Sequence, residues 1–218
     1  MSGPSSPRNV GLVLLAALAA CKSTPKQPEA DPVLVKTLAA KMAQNMPAPQ
    51  AARACQPKDY VGVPTLTFPT LLRLGEQPVA ADNAHADWIN PPQLESPTAH
   101  DLTSADETTR RRAAALMLSV PAWVVYKVDM VNAPMALGLK ELKISTIGAR
   151  AIRFGQNGLP ECVEIFYFQS DQKVSDDAIA KSDRAIIDPA VAKMLRDDLT
   201  QQYLMHAPRA PAAAPATK

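Results

Sequence analysis

Three cysteines, Cys21, Cys55 and Cys162, carry the most reactive side chains of this 218-residue chain. A thiol can be acylated, can be oxidised with a second thiol, or can ligate a metal as thiolate. No Cys-x-x-Cys spacing occurs, so the arrangement of redox catalysts and zinc fingers is absent. Asp82, His85 and Asp87 together offer imidazole and carboxylate ligands to a metal. Polar loops carry such trios by chance, and the second half of the chain holds only His206, so no metal and no cofactor is assigned. His100-Asp101 lies just before a helix start and reads as part of a turn. The acids from Asp171 to Asp188 lack the ligand order and central glycine of a calcium loop. Phosphate-loop, dinucleotide, nucleophile-elbow and zinc-protease motifs are all missing, and no catalytic residue is assigned. Gly155-Gln156-Asn157-Gly158 matches the loop of KH domains, but it joins strands here rather than helices.

Cys21 stands at the end of an unbroken small and apolar run, Val10 to Ala20, preceded by Arg8 as the only charge. Eleven helical residues rise about 16 Å, half of the ~30 Å hydrocarbon core of a bilayer. The run is too short to span and has the length of an export signal. Its end, Leu18-Ala19-Ala20-Cys21, resembles the lipobox of bacterial lipoproteins: an aliphatic residue, two small residues and cysteine. The resemblance covers residues 1–21 and implies a diacylglyceryl group on the Cys21 thiol, with cleavage before it. An ordinary secretory signal and an apolar core helix are the alternative readings of the same residues. A single acyl chain anchors only marginally, each buried methylene contributing about 0.8 kcal/mol, whereas two or three hold firmly. Lys22 stands where aspartate commonly retains lipoproteins in the inner membrane, so the resemblance implies the outer membrane, facing the periplasm or the cell surface.

Export also decides how Cys55 and Cys162 are read. Outside the cytosol the surroundings are oxidising, and an even pair of thiols invites a disulfide. It would close a loop of roughly 100 residues, for which the chain-entropy contribution reaches ~4.7 kcal/mol. Two buried free thiols, behaving as small apolar side chains, are the alternative.

The elements that must position these residues divide unevenly. Residues 21 to 103 hold 12 of the 21 prolines, while the aromatics gather after residue 120. The chain reads as a signal peptide (1–20), a tether (21–30), a helix with a Pro-rich irregular segment (31–103), an α+β domain (104–206) and a disordered Ala/Pro tail (207–218). Asp31-Pro32 opens the first helix, with Val35, Leu38, Ala39, Met42 and Met46 at helical spacing. Ser104-Ala105-Asp106-Glu107 has capping-box spacing for a second. Strands follow at 122–131, 140–147, 149–154 and 161–169, the last two flanking an Asn157-Gly158 turn. Asp188-Pro189 opens a final helix. The expected fold is α+β: an antiparallel sheet of about four strands packed against flanking helices, after a Pro-rich loop-dominated segment.

Charge restricts the function classes. Lysine plus arginine is 23 against 21 acids, a net +2 that concentrates no phosphate-neutralising surface, so nucleic acid is not an expected partner. Arg110-Arg111-Arg112 fans about 200° around a helix and has acids four residues before two of its members, which describes a solvated face. Phe166-Tyr167-Phe168 reads as strand core. The expected partners are a membrane, through lipidated Cys21, and an unidentified envelope protein. The leading expectation is a non-enzymatic interaction or accessory module. A carrier of a small apolar ligand between sheet and helix, and an envelope hydrolase, are the two rivals.

Overall fold

The computed structural model describes residues 28–48, 52–78, 91–132, 135–138, 141–143, 146–170 and 189–209, with backbone alone within 131–143 and 189–192. Cys21 and the segment before it lie outside these residues, as do Asp82, His85, Asp87 and the acids from Asp171 to Asp188.

Helix α1 (Pro32–Gln44) starts where its cap predicts. The Asp31 carboxylate accepts the Val33 N–H at 2.9 Å, Pro32 fills the first helical position, and Val35, Ala39 and Met42 form the buried stripe. The Pro-rich segment that follows is more ordered than its composition suggests. It holds β1 (Arg53–Ala54), a 3-10 turn (Pro57–Tyr60), β2 (Thr65–Thr67), α2 (Phe68–Leu74), a second such turn (Pro92–Leu94) and α3 (Pro97–Leu102). Helix α4 (Glu107–Ser119) is capped by Asp106, which accepts the Thr109 N–H at 2.7 Å. Ser104 is displaced from that role and accepts the Asp106 N–H instead. The reason is local: a carboxylate at position 106 reaches the third helical amide and adds negative charge at the helix N-terminus.

Strands β3 (Ala122–Asn132), β4 (Met135–Gly138), β5 (Glu141–Lys143), β6 (Thr146–Gly155) and β7 (Pro160–Gln169) precede helix α5 (Pro189–His206). The expected strand over 140–147 divides, because Glu141–Lys143 pairs with Met135–Gly138 in a separate ribbon while Thr146 already belongs to β6. The β6–β7 turn is the expected hairpin. Gly158 holds a left-handed φ of 72° and the Asn157 side chain accepts the Leu159 N–H at 3.0 Å.

The α+β class holds, but the sheet is mixed and five-stranded rather than antiparallel and four-stranded. Its order is β1-β7-β6-β3-β2. The central strands β3, β6 and β7 are antiparallel; β1 runs parallel to β7, and β2 parallel to β3. Both edge strands come from the Pro-rich segment. With two and three residues they show no alternation to read, and the strand already beside each supplies their pairing.

Both faces of the sheet are covered. On one, Leu66, Trp123, Val125, Ile152, Phe154 and Val163 pack with α1, α3 and α4. On the other, Val124, Tyr126, Ala149, Ala151 and Phe168 pack with Tyr60, Leu94, and Leu199 and Tyr203 of α5. The second interface is filled by rings, with Tyr203 stacked on Phe168 at 5.1 Å and edge-on to Tyr126 at 6.5 Å. Gly75 sets the approach of α2 to α1. A Cβ there would meet the Ala40 amide nitrogen at 2.9 Å, so no larger residue fits. The left-handed position that follows the cap of α2 is held by Glu76, whose φ of 50° is unusual for a residue other than glycine.

Candidate functional site

The structure brings Cys55 and Cys162 together as a disulfide, with their Cα atoms 5.0 Å apart. Pairing of β1 with β7 places them: Arg53 is opposite Cys162, and the Cys55 N–H donates to the Val163 carbonyl at 3.3 Å. A row of residues crosses the whole sheet here, Arg53, Cys162, Arg153, Val124 and Thr65 from edge to edge.

Titratable groups gather around the bridge. Arg53 forks onto Asp59, Nη1 to Oδ2 at 2.8 Å and Nη2 to Oδ1 at 3.1 Å. Asp59 also accepts the Gln56 N–H at 2.8 Å, and its Oδ2 lies 3.8 Å from the Cys162 sulfur. Arg153 pairs with Glu161, while its own Nε is buried without an acceptor among the described residues. One residue after Asp59, the Tyr60 hydroxyl donates to Glu164 Oε2 at 2.5 Å. The 3-10 turn therefore presses one acid onto an arginine and one phenol onto an acid, on either side of a disulfide.

The electrostatics identify what these groups do. The Arg53 guanidinium, then the Gln56 amide, hold the Asp59 carboxyl well below the usual carboxylate range. It stays ionised and acts as an acceptor, not as a proton donor. Burial, reinforced by the bond to Glu164, pushes the Tyr60 phenol up, so it stays protonated and donates. Burial also raises Tyr126, to about 12, and its hydroxyl donates to the Pro208 carbonyl just beyond α5. The cluster is a clamp built from committed donors and acceptors. It fastens the turn at 57–60 and strand β1 to the edge of β7.

A second clamp secures the other edge. Glu95 accepts the Thr67 hydroxyl at 2.6 Å and faces His100 Nδ1 at 3.6 Å, and the Ser96 N–H donates to the Thr65 carbonyl at 3.0 Å. A third lies on the face covered by α1, α3 and α4, where Arg150, only 6% exposed, binds Asp129 and donates from Nη1 to the Pro47 carbonyl. Burial works against the Asp129 charge, but the bonds from Arg150 and Lys127 hold its carboxyl below the ordinary range. None of Tyr60, Glu95, Asp129, Arg150 and Glu164 is legible as a site in the sequence, since each partner is remote or held by a bulge.

A pH dependence follows from the depressed carboxyls of Asp59 and Asp129. Each has a folded value below its unfolded one, near 3.9 for aspartate, so its contribution is complete above that and is lost as pH falls through the folded value. Thermal unfolding followed from pH 7 to pH 2 should show the midpoint dropping below about pH 5. Asp59→Asn should flatten that drop and lower the midpoint at pH 7. An acid limb identical in the variant and the parent would show that Asp59 is not coupled to folding.

The remaining expected features distribute as follows. Arg111 pairs with Glu107 at 2.8 Å, as the spacing predicts, whereas Arg110 donates to the Ser104 and Ala105 carbonyls. Phe166 and Phe168 pack on the α5 side, but Tyr167 points to the opposite face and is 65% exposed. Strand alternation decides that difference. Among the described residues no group of three or more His, Cys, Asp or Glu side chains could hold a metal ion. Among them, too, no helix is long and apolar enough to cross a membrane.

No protein-family model, no curated protein and no solved structure matches the chain. Its function is therefore argued from its own residues.

Proposed function

We propose that the chain is a lipid-anchored lipoprotein of the cell envelope that presents its α+β domain to a protein partner and performs no catalysis. The observation that carries this is Leu18-Ala19-Ala20-Cys21 after an apolar run too short to span a bilayer. The thiol of Cys21 takes the diacylglyceryl group, and cleavage before it leaves the lipidated residue first. Residues 21 to 30, at ~3.3 Å each, allow the domain to stand up to about 30 Å from the lipid surface. Lys22 in place of aspartate supports the outer membrane as the destination. The Cys55–Cys162 bridge supports the same placement, because such bonds persist outside the reducing cytosol.

Two features favour an interaction module over its rivals. The interface between the sheet and α5 is occupied by Tyr126, Phe166, Phe168 and Tyr203, which leaves the carrier reading without the chamber it requires there. The titratable groups at the bridged edge are paired with one another, which leaves the hydrolase reading without a free acid and base at that edge among the described residues.

Cys21→Ala tests the anchor. In cells fed labelled palmitate the variant should lose all label and move from the membrane to the soluble fraction. Retention of the variant at the membrane would falsify the anchoring. Crosslinking in intact cells, comparing parent and variant, tests whether a partner is met only at the membrane.

A further inference from the structure

Helices α1, α2, α3 and α4 meet around a groove of about 420 Å³ that none of the bridged-edge residues lines. That volume is within the ~300–1,000 Å³ of small-ligand sites. Val33, Val35, Leu74 and Leu102 supply apolar walls. Lys36, Arg73, Arg110 and Glu76 supply the charges. Lys36 is paired with Glu76, the residue that holds a left-handed conformation after the cap of α2, and these two cancel.

The two arginines are different. Arg73 donates from Nη2 to the Thr70 hydroxyl at 2.9 Å, and Arg110 donates from Nη1 to the Ser104 and Ala105 carbonyls at 2.7 and 3.0 Å. All three acceptors are neutral. Among the described residues neither guanidinium has a carboxylate within 4.0 Å. Arg73 is thus oriented by the fold without an ion-pair partner among the described residues, Arg110 feels the Asp106 carboxylate only from beyond ion-pair distance, and a guanidinium has five N–H donors in all. Arginine in this state matches a carboxylate, which two guanidinium groups can share through charge-assisted bonds.

We propose that this groove binds the free C-terminal carboxylate of a peptide that ends in an aliphatic residue. The arginines take the carboxylate and the apolar walls take the terminal side chain. Thr103 and Ser104 line the same groove and offer oxygens to a peptide amide, for which a simple fatty acid has no counterpart. An inorganic phosphate has no apolar body for the walls. This site does not depend on the lipid anchor and stands or falls separately from it.

The test titrates N-acetyl-alanyl-leucine, its C-terminal amide and butyrate into the full-length protein in detergent micelles. Backbone amide shifts of Leu74, Leu102 and Thr103 report binding at the groove. The acid should move these signals saturably, and the amide should bind about tenfold or more weakly, as expected for loss of a charge-assisted pair. Arg73→Gln should weaken the acid by a similar factor while leaving the melting temperature unchanged, since Arg73 is exposed and among the described residues bonds only Thr70. An amide that binds as well as the acid overturns the proposal. So does butyrate that binds as tightly as the peptide, or an Arg73→Gln protein with undiminished affinity.

Discussion

Replacing Cys55 and Cys162 together by serine will lower the stability of the folded chain by about 2–4 kcal/mol. The two cysteines are 107 residues apart, so the bridge removes a large closure entropy from the unfolded ensemble. In the chain-entropy model a loop of that size is worth up to ~4.7 kcal/mol, and measured values are usually smaller. For a chain of this length the change corresponds to roughly 5–15 °C in the thermal midpoint. The native state also loses its hold on β1. That strand has only two residues, and its pairing with Cys162 and Val163 is its whole contribution to the sheet. Arg53 and Asp59 remain to pull the turn inward, but Arg53 is half exposed and water competes for it. Amide exchange near Ala54 and Cys55 should therefore quicken more than exchange in β3 or β6. Denaturant midpoints measured with and without reductant provide the check. A midpoint indifferent to reduction would show that the bridge contributes nothing to folding.

Trp123→Ala is expected to cost about 3–5 kcal/mol, the range for removing a buried tryptophan ring. Trp123 is fully buried at the start of β3, within the cluster of Val125, Ile152 and Phe154. It also closes the helix before it. The indole Nε1 donates to the Met117 carbonyl at 2.9 Å, and Met117 lies in the last turn of α4, where carbonyls lack helical partners. Trp123→Phe separates the two contributions. It keeps most of the packed area and strands that carbonyl, so about 1–2 kcal/mol of the loss should remain. Urea unfolding of the parent and both variants gives the comparison. Equal stability of the phenylalanine variant and the parent would remove the hydrogen bond from the account.

The parts of this protein legible in its sequence are those decided within a few residues. The Asp31-Pro32 start of α1 is one, because an N-cap bond spans two residues and the first-turn proline fits without a donor. The Asn157-Gly158 turn between β6 and β7 is another. So is the Glu107–Arg111 pair, set by the helical pitch. The bridge was also legible, but through the inferred compartment rather than through geometry. The cap of α4 shows the limit of such reading: Ser104 has the right spacing, yet Asp106 wins with a stronger acceptor two residues later.

Position 150 shows what lay beyond reach. Arg150, in the middle of β6, is buried on the face covered by α1, α3 and α4, which nothing in its own neighbourhood in the sequence indicates. A bulge at Asp129 in β3 brings a carboxylate to it, and the chain beyond α1 brings the Pro47 carbonyl. The groove beside Arg73 and Arg110 is equally remote from sequence logic, since four helices meet to form it.

The amino-acid order alone determined the starts of α1 and α5, the β6–β7 hairpin and the α+β class, because caps, turns and periodicity act between near neighbours. Tertiary structure alone decided that β1 and β2 join the sheet in parallel, that both faces are buried, and that two arginines are left facing one groove. Segments of two or three residues carry no period of their own. Their place is chosen by hydrogen bonds offered from strands about 60 to 110 residues away along the chain.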